Sequence, residues 1–160
     1  MGRWMRPKSA GSALRSFVAG CVVLWLVGCG TLSGAQHTCE SSFGMLEAKR
    51  ISCTGSVETV SGSPSLSIIE IGEDLDGAHR LKATITVGRG TAKGSVTDVD
   101  DERVGGEVSP GEPLKIAAVV YPEQAVGADE DEEQVEVRLK VKEGEQLKNL
   151  RYEAMLVEQQ

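Results

Sequence analysis

The chain has 160 residues, with 17 basic and 24 acidic side chains, a formal charge of −7 and only 4% aromatics. That length holds one domain and not comfortably two. The charge is uneven: residues 1–28 contain Arg3, Arg6, Lys8 and Arg15 and no acid, so the rest sets 13 basic residues against all 24 acidic ones, a formal −11. A polyanion of that size is repelled by phosphate backbones, which argues against nucleic acid as a partner.

The N-terminus reads in three parts. Met1 to Ser16 is basic and polar, Phe17 to Val27 is an apolar run, and Gly28-Cys29 follows. Eleven apolar residues in a helix span about 16 Å, roughly half the hydrocarbon thickness of a bilayer, so the run suits a cleaved export signal rather than a membrane span. Leu26-Val27-Gly28-Cys29 resembles the lipobox of bacterial lipoproteins. The resemblance implies diacylglycerol on the Cys29 sulfur, cleavage after Gly28 and, in many bacteria, acylation of the new amino group. Each buried methylene contributes about 0.8 kcal/mol, and two or three acyl chains hold far more firmly than one. The expected location is therefore the cell envelope. In bacteria with two membranes, Asp after the lipidated Cys commonly retains a lipoprotein at the inner membrane. Gly30 stands there, which points to the outer membrane.

Cys39 and Cys53 remain after the signal, in a compartment where disulfides persist. Closing a loop of about 15 residues contributes roughly 3 kcal/mol in the chain-entropy model, so a disulfide is the expectation. The alternative is a metal held by His37, Cys39, Cys53 and His79, although the spacing matches no common zinc pattern. Residues 29–42 are small and polar beyond the lipidated Cys and read as a flexible tether, leaving 43–160 as the folded domain.

From Phe43 onward the pattern is that of a β protein. Leu46 to Cys53 and Ser56 to Val60 are two weaker strands. Leu66 to Ile71 is apolar on both faces, as a central strand covered on both sides would be. Arg80 to Val87 alternates, with Leu81, Ala83, Ile85 and Val87 inward. Gly94 to Val99 and Arg103 to Val108 are again weaker. Leu114 to Tyr121 is a second run apolar on both faces. Gln134 to Lys142 alternates most cleanly, Val135, Val137, Leu139 and Val141 against Glu136, Arg138, Lys140 and Lys142. Asn149 to Val157 puts Leu150, Tyr152, Ala154 and Leu156 on one face. Gly-, Pro- and Asp-rich turns separate these runs. With Phe43, Tyr121 and Tyr152 the only aromatics after the signal, the core must be built from Val, Ile, Leu and Ala. The expected fold is all-β, a single small β-sandwich, immunoglobulin-like in general architecture but without the Trp and Cys spacing of true immunoglobulin domains.

Catalytic equipment is sparse. Gly88 to Ser95 has Lys93-Gly94-Ser95 where a phosphate-binding loop needs Gly-Lys-Ser/Thr opening a helix, and reads as an inter-strand turn. No G-x-S-x-G elbow is present. A triad would have to use His37, in the tether, or His79, expected at the surface beside Arg80. Three acidic clusters occur, at residues 73–76, 98–102 and 129–133. Asp74, Asp76, Asp98, Asp100 and Asp101 offer oxygens of the kind calcium takes, provided their loops fall at one end of the sandwich. The sequence thus leads to a non-catalytic, membrane-anchored envelope lipoprotein that binds another envelope protein or supports assembly. No cofactor is expected beyond the covalent lipid. A calcium-dependent binding or stability module is the alternative.

Overall fold

The computed structural model describes residues 30–44, 47–71, 77–124 and 133–159. Residues 1–29, which include the expected export segment and Cys29, lie outside them. The described residues form strands β1 (Thr31–Ser33), β2 (Gln36–Gly44), β3 (Glu47–Ser61), β4 (Ser65–Ile71), β5 (His79–Thr86), β6 (Ala92–Thr97), β7 (Arg103–Val108), β8 (Leu114–Val120), β9 (Glu123–Gln124), β10 (Glu133–Val141) and β11 (Leu147–Glu158). Among the described residues there is no helix.

Two antiparallel sheets pack face to face. One runs β1-β3-β11-β5-β8, with β2 also paired to β3; the other runs β4-β10-β6-β7, with β9 paired to β10. The chain changes sheet at most connections, so β3-β11-β5-β8 lies over β4-β10-β6-β7. The sandwich expected from the sequence is present, and its strand order is that of a jelly roll, two Greek keys wound together.

Alternation sets which faces meet. In β10, Val135, Val137, Leu139 and Val141 are buried while Glu136, Arg138 and Lys140 are exposed. In β5, Leu81, Ala83 and Ile85 are buried; in β11, Leu150, Tyr152, Ala154 and Leu156 are. These inner faces make one aliphatic core. Each fully buried Val, Leu or Ile contributes about 1.5–3 kcal/mol, so the summed burial outweighs any single polar contact.

Four expectations need correction. Residues 30–42 are not a tether: β1 pairs with the end of β3, and β2 pairs with β3 from Gln36↔Ser56 to Gly44↔Glu47. Polar side chains suit an edge strand with one solvated flank, which is why this stretch read as a linker. The two weak candidates around Gly55 are one continuous strand, β3. Leu66–Ile71 and Leu114–Tyr121 are not central; β4 and β8 each end a sheet. In β4 the register slips, Val135 facing Ile69 and Glu136 facing Ser67, so Ile68 is an extra residue. Ile68 and Ile69 are consequently both fully buried, and the apolar pair records a bulge rather than a second covered face. In β8, Val119 is half-buried where its carbonyl oxygen accepts a hydrogen bond from the Val99 amide, 2.9 Å, in the β6–β7 turn.

Candidate functional site

Strand direction sorts the turns onto two ends. At one end β3 turns into β4 through Ser61 to Pro64, β7 into β8 through Ser109 to Pro113, and β10 into β11 after Lys142. Gly30 sits here: a Cβ on it would collide with the Pro64 ring and backbone, and Thr31 pairs with Ser61. At the opposite end, Ile71 closes β4 beside Glu133, which opens β10, and β9 pairs Gln124 with Glu133. Thr97 closes β6 and pairs with Arg103, and Val120 closes β8 beside His79. These termini bracket all three acidic clusters, which hold 12 of the 24 acidic residues. The strand termini that flank these segments share one end, while residues 72–76 and 125–132 lie outside the described residues.

Asp74 and Asp76 lie outside the described residues. Of the other three, Asp98 is engaged in its own turn. Its Oδ1 accepts from the Asp100 amide at 3.0 Å and the Glu102 amide at 2.9 Å. Its backbone amide donates to the Glu102 carbonyl oxygen at 2.9 Å. Asp101 takes φ 61°, a left-handed conformation that Asp tolerates better than most side chains. Asp98 therefore serves the turn between β6 and β7, while Asp100 and Asp101 point to solvent.

His79 is not at the surface. It is 2% exposed, and its Nδ1 donates to the Gly77 carbonyl oxygen at 3.1 Å. An imidazole that opens an inward-facing β5 position is covered by the neighbouring ends of β8 and β11, where it registers with Val120 and Glu158.

The second cluster lies at the β2 edge. Cys39 faces Cys53 directly in the β2–β3 register, and the two form a disulfide with Cα atoms 4.1 Å apart. Cys53 is 1% exposed and Cys39 is half-buried. His37, two residues before Cys39, points the same way because side chains repeat every second residue along a strand. Its Nε2 lies 2.9 Å from Cys39 Sγ and its Nδ1 meets the Tyr152 hydroxyl. Tyr152 reaches from β11 across Gly55, where a Cβ would occupy the space of its Cζ and Oη. The hydroxyl donates to the Ser67 carbonyl oxygen of β4 at 3.3 Å, linking the two sheets. Burial, reinforced by the nearby Glu70 carboxylate, pushes the phenol pKa up to about 12.

His37, Cys39 and Cys53 offer ligand atoms all within 4.8 Å of one another, the sole such group among the described residues. The sequence named these three as a metal alternative together with His79, which the fold keeps apart from them. On the sequence alone, Tyr152 is only a position on the apolar face of its strand. The signal available was a lone phenol on an otherwise aliphatic face, since a buried Tyr hydroxyl requires a partner.

No protein-family model matches the chain, and no curated protein matches it. Among solved structures, procruciferin, an 11S globulin from Brassica napus, is 19% identical with TM-score 0.33, covering 67% of this chain and 20% of its own. The recombinant pro-11S globulin of pumpkin is 12% identical with TM-score 0.31, over 71% of this chain and 26% of that one. The chain thus spans a fifth to a quarter of the globulins it overlaps.

Proposed function

We propose that the protein is a lipid-anchored envelope module without catalytic activity, which presents an acidic end to another envelope protein. The carrying observation is the opposition of the two ends. Gly30, next in sequence to the expected lipidated Cys29, packs on Pro64 at one end, and the strand termini bracketing the acidic clusters lie at the other. With β1 starting at Thr31 there is almost no slack between anchor and domain. The eight steps between the nine residues of β10, at about 3.3 Å each, separate the ends by roughly 26 Å. An acidic surface held that far from the bilayer meets a basic partner through steering that accelerates encounter and weakens with salt.

Affinity capture from detergent-solubilised envelopes tests this reading. The chain recovers one stoichiometric partner at low salt, and a variant carrying Asp100→Asn, Asp101→Asn and Glu102→Gln recovers less. No stoichiometric partner, or equal capture by the variant, overturns it.

The placement of the strand termini favours one second reading, calcium held between the acidic loops. Asp74, Asp76, Asp100 and Asp101 would supply its oxygens, with Asp98 keeping one oxygen free of its turn bonds. Titration calorimetry with millimolar calcium gives heat and a raised melting temperature if it holds, and neither if it fails.

A further inference from the structure

Beyond that reading, we infer that the Cys39–Cys53 disulfide is the closed form of a redox-gated site in which both sulfurs and His37 Nε2 bind a soft cation, Cu(I) or Zn(II).

The imidazole is oriented for ligation. The single Tyr152 hydroxyl proton goes to the Ser67 carbonyl oxygen, so the phenol oxygen accepts from His37 Nδ1–H. That assigns the tautomer and leaves the Nε2 lone pair directed at Cys39 Sγ, 2.9 Å away. Metal-bound histidines are held in this way, with the second ring nitrogen donating to an outer partner that fixes ring orientation. A histidine that merely packed against a disulfide would need no such relay. The three ligand atoms lie within 4.8 Å of one another. A cation about 2.0 Å from nitrogen and about 2.3 Å from each sulfur needs them roughly 3.5–4 Å apart, so opening the S–S bond is the main adjustment required. Two thiolates and one imidazole select soft or borderline cations over calcium and magnesium. Three protein ligands leave a further position for water on Zn(II). Access is from the β2 edge, where His37 is exposed and Cys39 half-buried.

Opening takes two electrons from a dithiol reductant. One donor thiolate attacks the accessible Cys39 Sγ, and the S–S bond breaks with Cys53 leaving as thiolate and taking a proton. The second donor sulfur, as thiolate, attacks the first across the mixed disulfide and releases Cys39 as thiolate, which takes the donor's second proton, so the donor departs as its own disulfide. The cation then displaces one proton from each thiol, and both go to water.

The test uses the full chain carrying Cys21→Ser and Cys29→Ser, so that Cys39 and Cys53 are its only sulfhydryls. It is reduced with a phosphine under anaerobic conditions and followed by circular dichroism. The oxidised chain binds no Zn(II) or Cu(I), and the reduced chain binds one equivalent in competition with a chromogenic chelator. Co(II) in place of zinc gives thiolate charge-transfer bands. His37→Ala, at an exposed position, weakens binding at least tenfold with the sheet signal intact; Tyr152→Phe weakens it about tenfold to a hundredfold. No binding by the reduced chain, folded or not, overturns the proposal. So does equal affinity in His37→Ala, which would mean chelation by the dithiol alone.

Discussion

Tyr152 occupies the space a Cβ would need on Gly55, its partner in the β11–β3 register, and passes over that strand to reach His37. Only a residue without Cβ leaves this path open. Gly55→Ala is expected to displace the ring and cost about 1–3 kcal/mol, the range for overpacking a core. Urea denaturation would show a lower midpoint at unchanged slope, and cobalt binding by the reduced chain would fall with it.

The raised Tyr152 pKa predicts a specific alkaline sensitivity. The folded phenol titrates near 12 and an unfolded one near 10. Above pH 10 the unfolded chain loses its proton first, so stability is intact below that pH and falls as pH rises toward 12. At about 1.4 kcal/mol per pH unit the loss is of order 2–3 kcal/mol. Tyr152→Phe removes this limb and itself costs about 1 kcal/mol at neutral pH, the net worth of a hydrogen bond. Thermal melts from pH 7 to 11.5 on both chains check the two statements together.

Reduction of the disulfide should lower stability without dismantling the sandwich. Cys39 and Cys53 are 14 residues apart, and releasing a loop of that size costs about 3 kcal/mol in the chain-entropy model. The loss falls on the β2–β3 edge, so hydrogen exchange should quicken in Gln36 to Ser42 and hardly change in β10.

Asp98→Ala leaves the Asp100 and Glu102 amides without their shared acceptor. The turn is solvated, so the cost is about 1–2 kcal/mol rather than the full penalty for buried donors. Asp100→Asn, whose side chain makes no such bond, should melt within about 0.5 kcal/mol of the parent, as surface changes usually do.

Cys29→Ser tests the anchor. The parent is expected to sediment with membranes and carry the mass of the cleaved, acylated chain. The variant should keep its export segment and lose acyl mass. Equal membrane association and unchanged mobility would count against lipidation.

Much of the fold was legible because apolar and polar residues alternate through β5 from Arg80, through β10 from Gln134 and through β11 from Leu150 to Ala154. A period of two fixes one inner and one outer face whatever the strand's neighbours. The same logic misread β4, where Ile68 and Ile69 are consecutive and both buried. A bulge exists only relative to a partner strand, and no local pattern announces it. It also misread β2, because an edge strand beside solvent needs no apolar stripe. Of the candidate site, His37, Cys39 and Cys53 could be named as residue types, and His79 could not be separated from them.

The sequence by itself determined that this chain is a β protein with an aliphatic core and with acidity gathered into three short stretches, and it carries the resemblance to a lipobox on which the proposed anchor rests. Composition and two-residue periodicity are properties of neighbours along the chain, and they survive any rearrangement of strands. Tertiary structure alone decided that the strand termini flanking those stretches share one end, that Gly30 belongs to the other, and that a tyrosine from β11 aims a histidine at a disulfide in β2 and β3. Such relations join residues as many as 115 positions apart. They are fixed only when jelly-roll winding brings particular strands side by side in one register.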